Sequence, residues 1–276
     1  MKFPVALQLY SVRHEAKNDL DGTLKQVKEM GYDGVEFAGL HDYSPEQVRD
    51  LCKKHGLTPI SAHVNMAKTV EDGAEATYDI YKTIGCSFVV IPHVSQNYCK
   101  AEEDFSTLVK NCEVFGKAAK DRGMQLCYHN HDFEFTNRID GKPMLDVLYE
   151  TVDADLLQTQ LDTCWVNVGG EDPAQYVRKY AGRCRILHLK DFVGQKTDNM
   201  YALIGVNDNA EEKATKNQAF DYRPVGHGVQ DIPGILKAAE ESGVEWIVVE
   251  QDQPSLEKTP LECAKMSIDY LKTINQ

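Results

Sequence analysis

Short apolar runs of strand length alternate with longer stretches of helical period along the whole chain. The runs predict strands at Val5–Val12, Gly34–Ala38, Thr58–His63, Ser87–His93, a fifth opening at Leu126, then Leu156–Thr163, Arg185–Lys190 and Glu245–Glu250. Between them the spacing predicts helices over Asp19–Met30, Pro45–His55, Val70–Ile84, Glu102–Arg122, Met144–Thr151, from Asp172-Pro173 onward, Ile232–Ser242 and Pro260–Ile274. The punctuation agrees with the pattern. Ser44-Pro45 and Asp172-Pro173 each put a capping oxygen before a proline at the first helical position, and Gly31, Gly56 and Gly85 stand where helices stop.

Eight strand-then-helix units with no break in composition predict a parallel sheet closed on itself. The expected fold class is α/β, a (β/α)8 TIM barrel, with residues 1–276 as a single domain. An open doubly wound sheet is the competitor, but no strand is followed by a Gly-x-Gly-x-x-Gly turn. The polar stretch at about 192–230 is too long for a plain connection and is expected to lie over the C-terminal mouth of the barrel.

Composition narrows the partners. A formal net charge of −13 over 276 residues argues against a nucleic acid, whose phosphates call for clustered Lys and Arg. No run of about 18 apolar residues offers a membrane span, and the chain enters its first strand without a signal-peptide pattern. The eight cysteines are scattered, with no Cys-x-x-Cys pair, and read as reduced thiols of a cytoplasmic protein. The expected partner is a small-molecule sugar, neither nucleic acid nor membrane, and assembly as a homo-oligomer is left open.

Chemistry gathers where barrels keep their active sites, at the C-terminal ends of the strands. Those ends carry Gln8 and Tyr10, Glu36, His63, His93, His129 and His131, Asp162, His188 and Lys190, and Glu250. Two histidines, an aspartate and a glutamate on neighbouring strand ends predict a divalent metal held by His129, Asp162, His188 and Glu250. This mixed imidazole and carboxylate set suits Mn, Co, Zn, Fe or Mg without choosing among them. Alternation places His129 and His131 on one strand face, so spacing leaves open which of them is the ligand. His63, His93, Trp165 and Gln8 are the candidate substrate-binding residues; Trp165 lies just past Asp162, where it could stack on a sugar ring. His227, in Val225-Gly-His-Gly228, reads as a turn residue.

These motifs resemble a known family. Gln8-Leu-Tyr-Ser-Val-Arg13, Gly31-Tyr-Asp-Gly-Val-Glu36, Leu161-Asp-Thr163, His188-Leu-Lys-Asp191 and Glu250 are similar to those of the sugar phosphate isomerase/epimerase-like proteins of the xylose-isomerase-like barrels, over the whole chain. The resemblance implies a metal on Glu, Asp, His and Glu from the last four strands. Asp162, His188 and Glu250 match three of them, and His129 stands where the fourth, a glutamate, would be. In the ketose epimerases of that group the missing glutamate is one of two acid–base residues. Endonuclease IV-like members need a histidine where this chain has Trp165.

The resemblance implies a metal-dependent isomerase or epimerase working through an enediolate on a sugar or keto sugar. A metal-dependent lyase or dehydratase on a keto sugar, keto-glycoside or inosose is the alternative, since all these reactions begin by removing the C–H proton beside a carbonyl. A non-catalytic sugar-binding or partner-dependent subunit is a third reading. The expected base is Glu250, then His131, then Glu36, with Lys190 placed to stabilise the developing oxyanion. No glycine-rich phosphate cradle is evident, which favours a free sugar or a glycoside.

Overall fold

A computed structural model describes residues 2–95, 102–196 and 220–275. Eight parallel strands close into a barrel: β1 Val5–Gln8, β2 Gly34–Phe37, β3 Thr58–His63, β4 Phe88–Ile91, β5 Gln125–His129, β6 Gln158–Asp162, β7 Ile186–Leu189 and β8 Trp246–Val249. Each strand pairs with its sequence neighbours, and β1 pairs with both β2 and β8 to complete the ring. The expected eight-unit barrel is what the chain forms.

The strands are shorter than their apolar runs suggest, and the reason is chemical. The run predicted as Val5–Val12 stops at Gln8, whose side chain accepts from the Tyr10 backbone N–H at 3.0 Å and turns Leu9–Val12 into a 3-10 helix. The helix predicted over Asp19–Met30 forms as Leu20–Met30, with Asp19 capping it through the Gly22 N–H, and a further short helix, Arg13–Asn18, precedes it. The helix predicted over Val70–Ile84 divides into Met66–Asp72 and Ala74–Ile84 at Gly73, where φ is 87°. Short helices at Phe133–Thr136 and Thr163–Val168, just past β5 and β6, have no counterpart in the predicted pattern.

Alternation sorts the barrel interior into layers. Ala6, Phe88, Val90, Cys127, Ile186 and Val248 pack with Ile60 as an apolar plug. Two residues further along their strands, Gln8 and His188 follow Ala6 and Ile186. They belong to a polar layer with Glu36, Ser61 and Gln160, every member fully buried. Register aligns that layer: Gln8 lies opposite Glu36, Glu36 opposite Ser61, and His129 opposite Gln160.

The long stretch after β7 is only partly a loop. Asp191–Gly194 and Phe220–Arg223 pair as an antiparallel ribbon; residues 197–219, the middle of the expected mouth-covering loop, lie outside the described residues, as does Cys99. The other seven cysteines are free and buried. Asp191 holds the ribbon down. Its carboxylate accepts backbone N–H bonds from Phe192, Gly226, Gly228 and Gln230 at 2.9–3.2 Å. His227 sits in that turn, its own N–H bonded to the Pro224 carbonyl.

Gly228 approaches Asp191 so closely that a Cβ there would meet Oδ1 at 2.1 Å and the Phe192 carbonyl oxygen at 2.4 Å. Gly228→Ala is therefore expected to lower the unfolding free energy by about 1–3 kcal/mol, in the range of overpacking costs. Urea denaturation checks it, and an unchanged midpoint would count against this anchoring.

Candidate metal centre and active-site cleft

The site grows from Glu36. No part of it reaches solvent, and both carboxylate oxygens are occupied. Oε1 accepts from Gln8 Nε2 and His188 Nε2, each at 2.7 Å, and Oε2 from Ser61 Oγ at 2.5 Å and Gln160 Nε2 at 2.6 Å. His63 Nε2 lies 3.0 Å from Oε1. Burial alone would raise this acid, but the His63 and His188 imidazoles hold it well below the usual carboxylate range. It is a buried anion with its charge fully met.

That anion orients two imidazoles. His188 gives Nε2–H to Glu36, leaving Nδ1 turned to Glu250 Oε2 at 3.2 Å. Gln160 gives its NH2 group to Glu36, so its oxygen faces His63 Nε2 at 2.8 Å and His129 Nδ1 at 3.0 Å. An amide oxygen only accepts, so His129 carries its proton on Nδ1 and presents a bare Nε2 towards Asp162 Oδ2, 3.6 Å away. Asp162 is fixed from its own backbone. Its Oδ1 accepts the N–H groups of Cys164 and Trp165, starting the helix after β6, and Asn130 exchanges hydrogen bonds with its backbone N–H and carbonyl.

One donor atom from each of His129, Asp162, His188 and Glu250 falls within 4.8 Å of every other. Donors bound about 2.1 Å from one ion stand roughly 3–4 Å apart, so the group is near the spacing a divalent cation requires. Asp162 Oδ2 accepts no well-angled hydrogen bond, although the Lys190 ammonium is 3.2 Å away. A buried carboxylate oxygen in that state suits a cation. Second partners on both histidines, Glu36 and Gln160, complete the pattern found around metal-binding imidazoles.

Lys190 lies one residue past β7, buried, with its Nζ 2.9 Å from both Glu250 Oε2 and Asp252 Oδ2. Burial would lower its pKa, but Asp162, Asp252 and Glu250 raise it well above the ordinary value, so it stays an ammonium. Glu250 is opposed by burial yet held ionised by Lys190 and His188. His131 is pushed the other way: burial, then the neighbouring His129 and His93, hold it well below 6.5, as a neutral imidazole.

A cleft of about 860 Å³ opens above these groups, and His63, His93, His129, His131, Lys190 and Glu250 reach it. Three expectations need correction. Glu36 is sealed beneath the cleft and cannot act as a base on a substrate. Gln8 is fully buried with both ends bonded to Glu36 and Tyr10, so it positions groups rather than touching substrate. Trp165 has no exposed surface to stack on a sugar, because Phe220 and Tyr222 of the ribbon, with Phe192, close over it.

His131 lies two residues beyond the end of β5, so strand alternation does not place it. Even so, its ring lies 5.4 Å from that of His129, because Glu134 accepts the His131 backbone N–H at 2.8 Å and bends the chain back. Asp252 and Tyr10 also line the cleft. Asp252 lies three residues past β8, so strand alternation does not place it either. Gln160, in contrast, could have been found from Asp162 by the spacing of two within β6. Arg13 ties the motif after β1 to this corner: its guanidinium sits 4.3 Å over the Tyr10 ring and donates to the Asp252 carbonyl at 2.8 Å.

Comparison with known proteins adds family context. Residues 24–274 match the sequence model of the family described as xylose isomerase-like TIM barrel. The chain is 28% identical to an inosose dehydratase of Clostridium beijerinckii, over 93% of this chain and 90% of that protein. In fold it is similar to a sugar phosphate isomerase/epimerase from Parabacteroides distasonis, with TM-score 0.77 and 21% identity over 99% of this chain and 94% of the other. It is also similar to the probable 3-DHS dehydratase AsbF from Bacillus anthracis, with TM-score 0.72 and 17% identity over 99% of each chain.

Glu134 yields a pH prediction. Fully enclosed, it accepts from Tyr128 OH at 2.8 Å besides the His131 N–H, and burial pushes it from 4.5 up to about 8. The folded chain then keeps a proton that the unfolded chain releases near 4.5. Stability is therefore fully present below that pH and falls as pH rises through about 8, by on the order of 5 kcal/mol at most. Glu134→Gln keeps the neutral state, so melting temperature measured from pH 5 to 9 should decline less in the variant than in the wild type. Parallel curves would refute the assignment.

Proposed function

The chain belongs to the xylose isomerase-like TIM barrel family, and from that premise we propose that it is a divalent-metal-dependent lyase, a dehydratase-type enzyme acting on a keto sugar or keto inositol. One observation carries the choice of elimination over epimerisation. Beside Asp162, His188 and Glu250, the β5 position holds His129 rather than a glutamate, so the cleft has no second glutamate facing Glu250 from that strand. An epimerase needs a proton donor of matched strength on each face of the reacting carbon; an elimination needs one base and a way to protonate the leaving group. The inosose dehydratase likeness supports the same reading.

His129, Asp162, His188 and Glu250 would hold the ion, which when bound supplies Lewis acidity and an orienting template for a carbonyl and its neighbouring hydroxyl. The chain's own groups do the rest. His131, neutral and facing the cleft, takes the proton from the carbon beside the carbonyl. Lys190, permanently charged, stabilises the negative charge that then develops on oxygen. The electron pair left by the C–H bond becomes a C=C bond as the C–O bond at the next carbon breaks. The departing oxygen takes up the proton that His131 removed and leaves as water or an alcohol, which returns His131 to its neutral form. Glu36, Gln8 and Gln160 keep both ligand imidazoles in the required tautomers without meeting substrate.

The test combines metal content with chemistry. Plasma mass spectrometry on protein purified without chelator or nickel should find about one equivalent of a divalent metal, lost in Asp162→Ala and in Glu250→Ala. With an inosose as substrate, the wild type should exchange the C–H beside the carbonyl for deuterium and release water, and His131→Asn should slow this by roughly 10²–10⁴-fold. Exchange that yields a stereoisomer and no water would return the assignment to an epimerase. Sugar binding without any exchange would leave a non-catalytic binding module.

A further inference from the structure

Lys190 is almost completely enclosed, and lysine is a residue type that goes inside only when its charge is paired. Its Nζ meets three carboxylates: Glu250 Oε2 and Asp252 Oδ2 at 2.9 Å each, and Asp162 Oδ2 at 3.2 Å. The rings of Trp165 and Tyr222 lie 5.7 and 5.9 Å away, within the reach of a cation–π contact. Asp162 and Glu250 belong to the set that converges for a cation, and Asp252 does not. The ammonium therefore shares two of its three carboxylates with the proposed ion.

Fully ionised, Asp162, Glu250 and Asp252 carry three negative charges against the one positive charge of Lys190, and the two left over equal the charge of one divalent ion. An ammonium and a dication held by the same two carboxylates repel each other, strongly so in a site this poor in water. One carboxylate must then belong to the lysine alone, and Asp252 is placed for it. It is buried, and its backbone carbonyl accepts from the Arg13 guanidinium at 2.8 Å. The Gln251 N–H before it donates to Ser11 Oγ at 3.0 Å, so the segment after β8 is tied to the turn after β1. Lys190 and Asp252 both line the cleft.

Resting on the metal assignment above, we propose that Asp252 is the positioning residue of Lys190, holding its ammonium at the cleft while Asp162 and Glu250 serve a divalent cation. With Asp252 in place, the lysine and the ion use separate carboxylates. Without it, the ammonium stays on Asp162 and Glu250 and competes for them. The stretch Glu250-Gln-Asp252 thus supplies one acid to the metal set and one to the lysine.

The experiment is calorimetric titration of Mn²⁺ into the full chain, stripped with chelator and dialysed, as wild type, Asp252→Asn, Lys190→Gln and the double variant. Removing a nearby negative charge weakens Mn²⁺ in any background, so the decisive quantity is how far that loss depends on Lys190. Asp252→Asn should weaken binding roughly 30-fold in the wild type but only about 3-fold alongside Lys190→Gln, a coupling in the range of residues in contact. Asp252→Glu keeps the carboxylate and should stay within about 3-fold of the wild type, a comparison that stands even if Lys190→Gln does not fold. Melting temperatures without Mn²⁺ verify the fold of each variant. Equal losses in the two backgrounds, or Asp252→Glu as weak as Asp252→Asn, would overturn the proposal and leave the metal assignment intact. No Mn²⁺ binding by the wild type would sink both.

Discussion

The fully buried negative charge of Glu36 is the constraint from which the site follows. Taking a carboxylate out of water costs several kcal/mol even after relaxation, and that cost is tolerable only if every lone pair finds a donor. Here Gln8, Ser61, Gln160, His63 and His188 converge on it from β1, β3, β6 and β7. Each partner thereby loses its freedom to rotate or change tautomer. Two of the chains of consequence lead to His129 and His188, whose remaining nitrogens point to the proposed cation position. The central layer of the barrel is thus an electrostatic clamp as well as a packing layer.

The apolar plug below and the open cleft above make this arrangement workable. Cys127, Ile186, Val248 and their neighbours exclude water from beneath the clamp, so its hydrogen bonds act in a medium of low polarisability, where they are strong and where an unmet group would be expensive. Above it, Lys190 sits among Asp162, Glu250 and Asp252 and offsets an excess of negative charge. Acid, base and cation therefore differ by environment more than by residue type: burial and neighbouring imidazoles neutralise His131, while surrounding carboxylates keep Lys190 charged.

The segments after the strands decide what the cleft sees. Asp191 collects four backbone amides and fixes the ribbon Asp191–Gly194 and Phe220–Arg223, whose aromatic residues bury Trp165. Trp165 then backs His131 and Lys190, with ring-to-ring and cation-to-ring distances of 5.4 and 5.7 Å. A residue that reads as a sugar platform is instead a wall behind two polar groups.

The sequence by itself determined the number, order and type of the main elements, because alternation, helical period, caps and stopping glycines are local properties that survive in one dimension. It also marked Asp162, His188 and Glu250 by their place at strand ends, since a barrel gathers those ends whatever the loops do. Only the tertiary structure decided which polar residues are sealed and which meet the cleft. Glu36 and Gln8 look like mouth residues from their spacing, yet lie under it because their burial depends on strands up to 152 positions away. The position of His131 depends on Glu134 bending the backbone, and the concealment of Trp165 on a ribbon formed from segments that are far apart in the chain. Such closures are set by long-range register and complementary charge, to which hydrophobic period is blind.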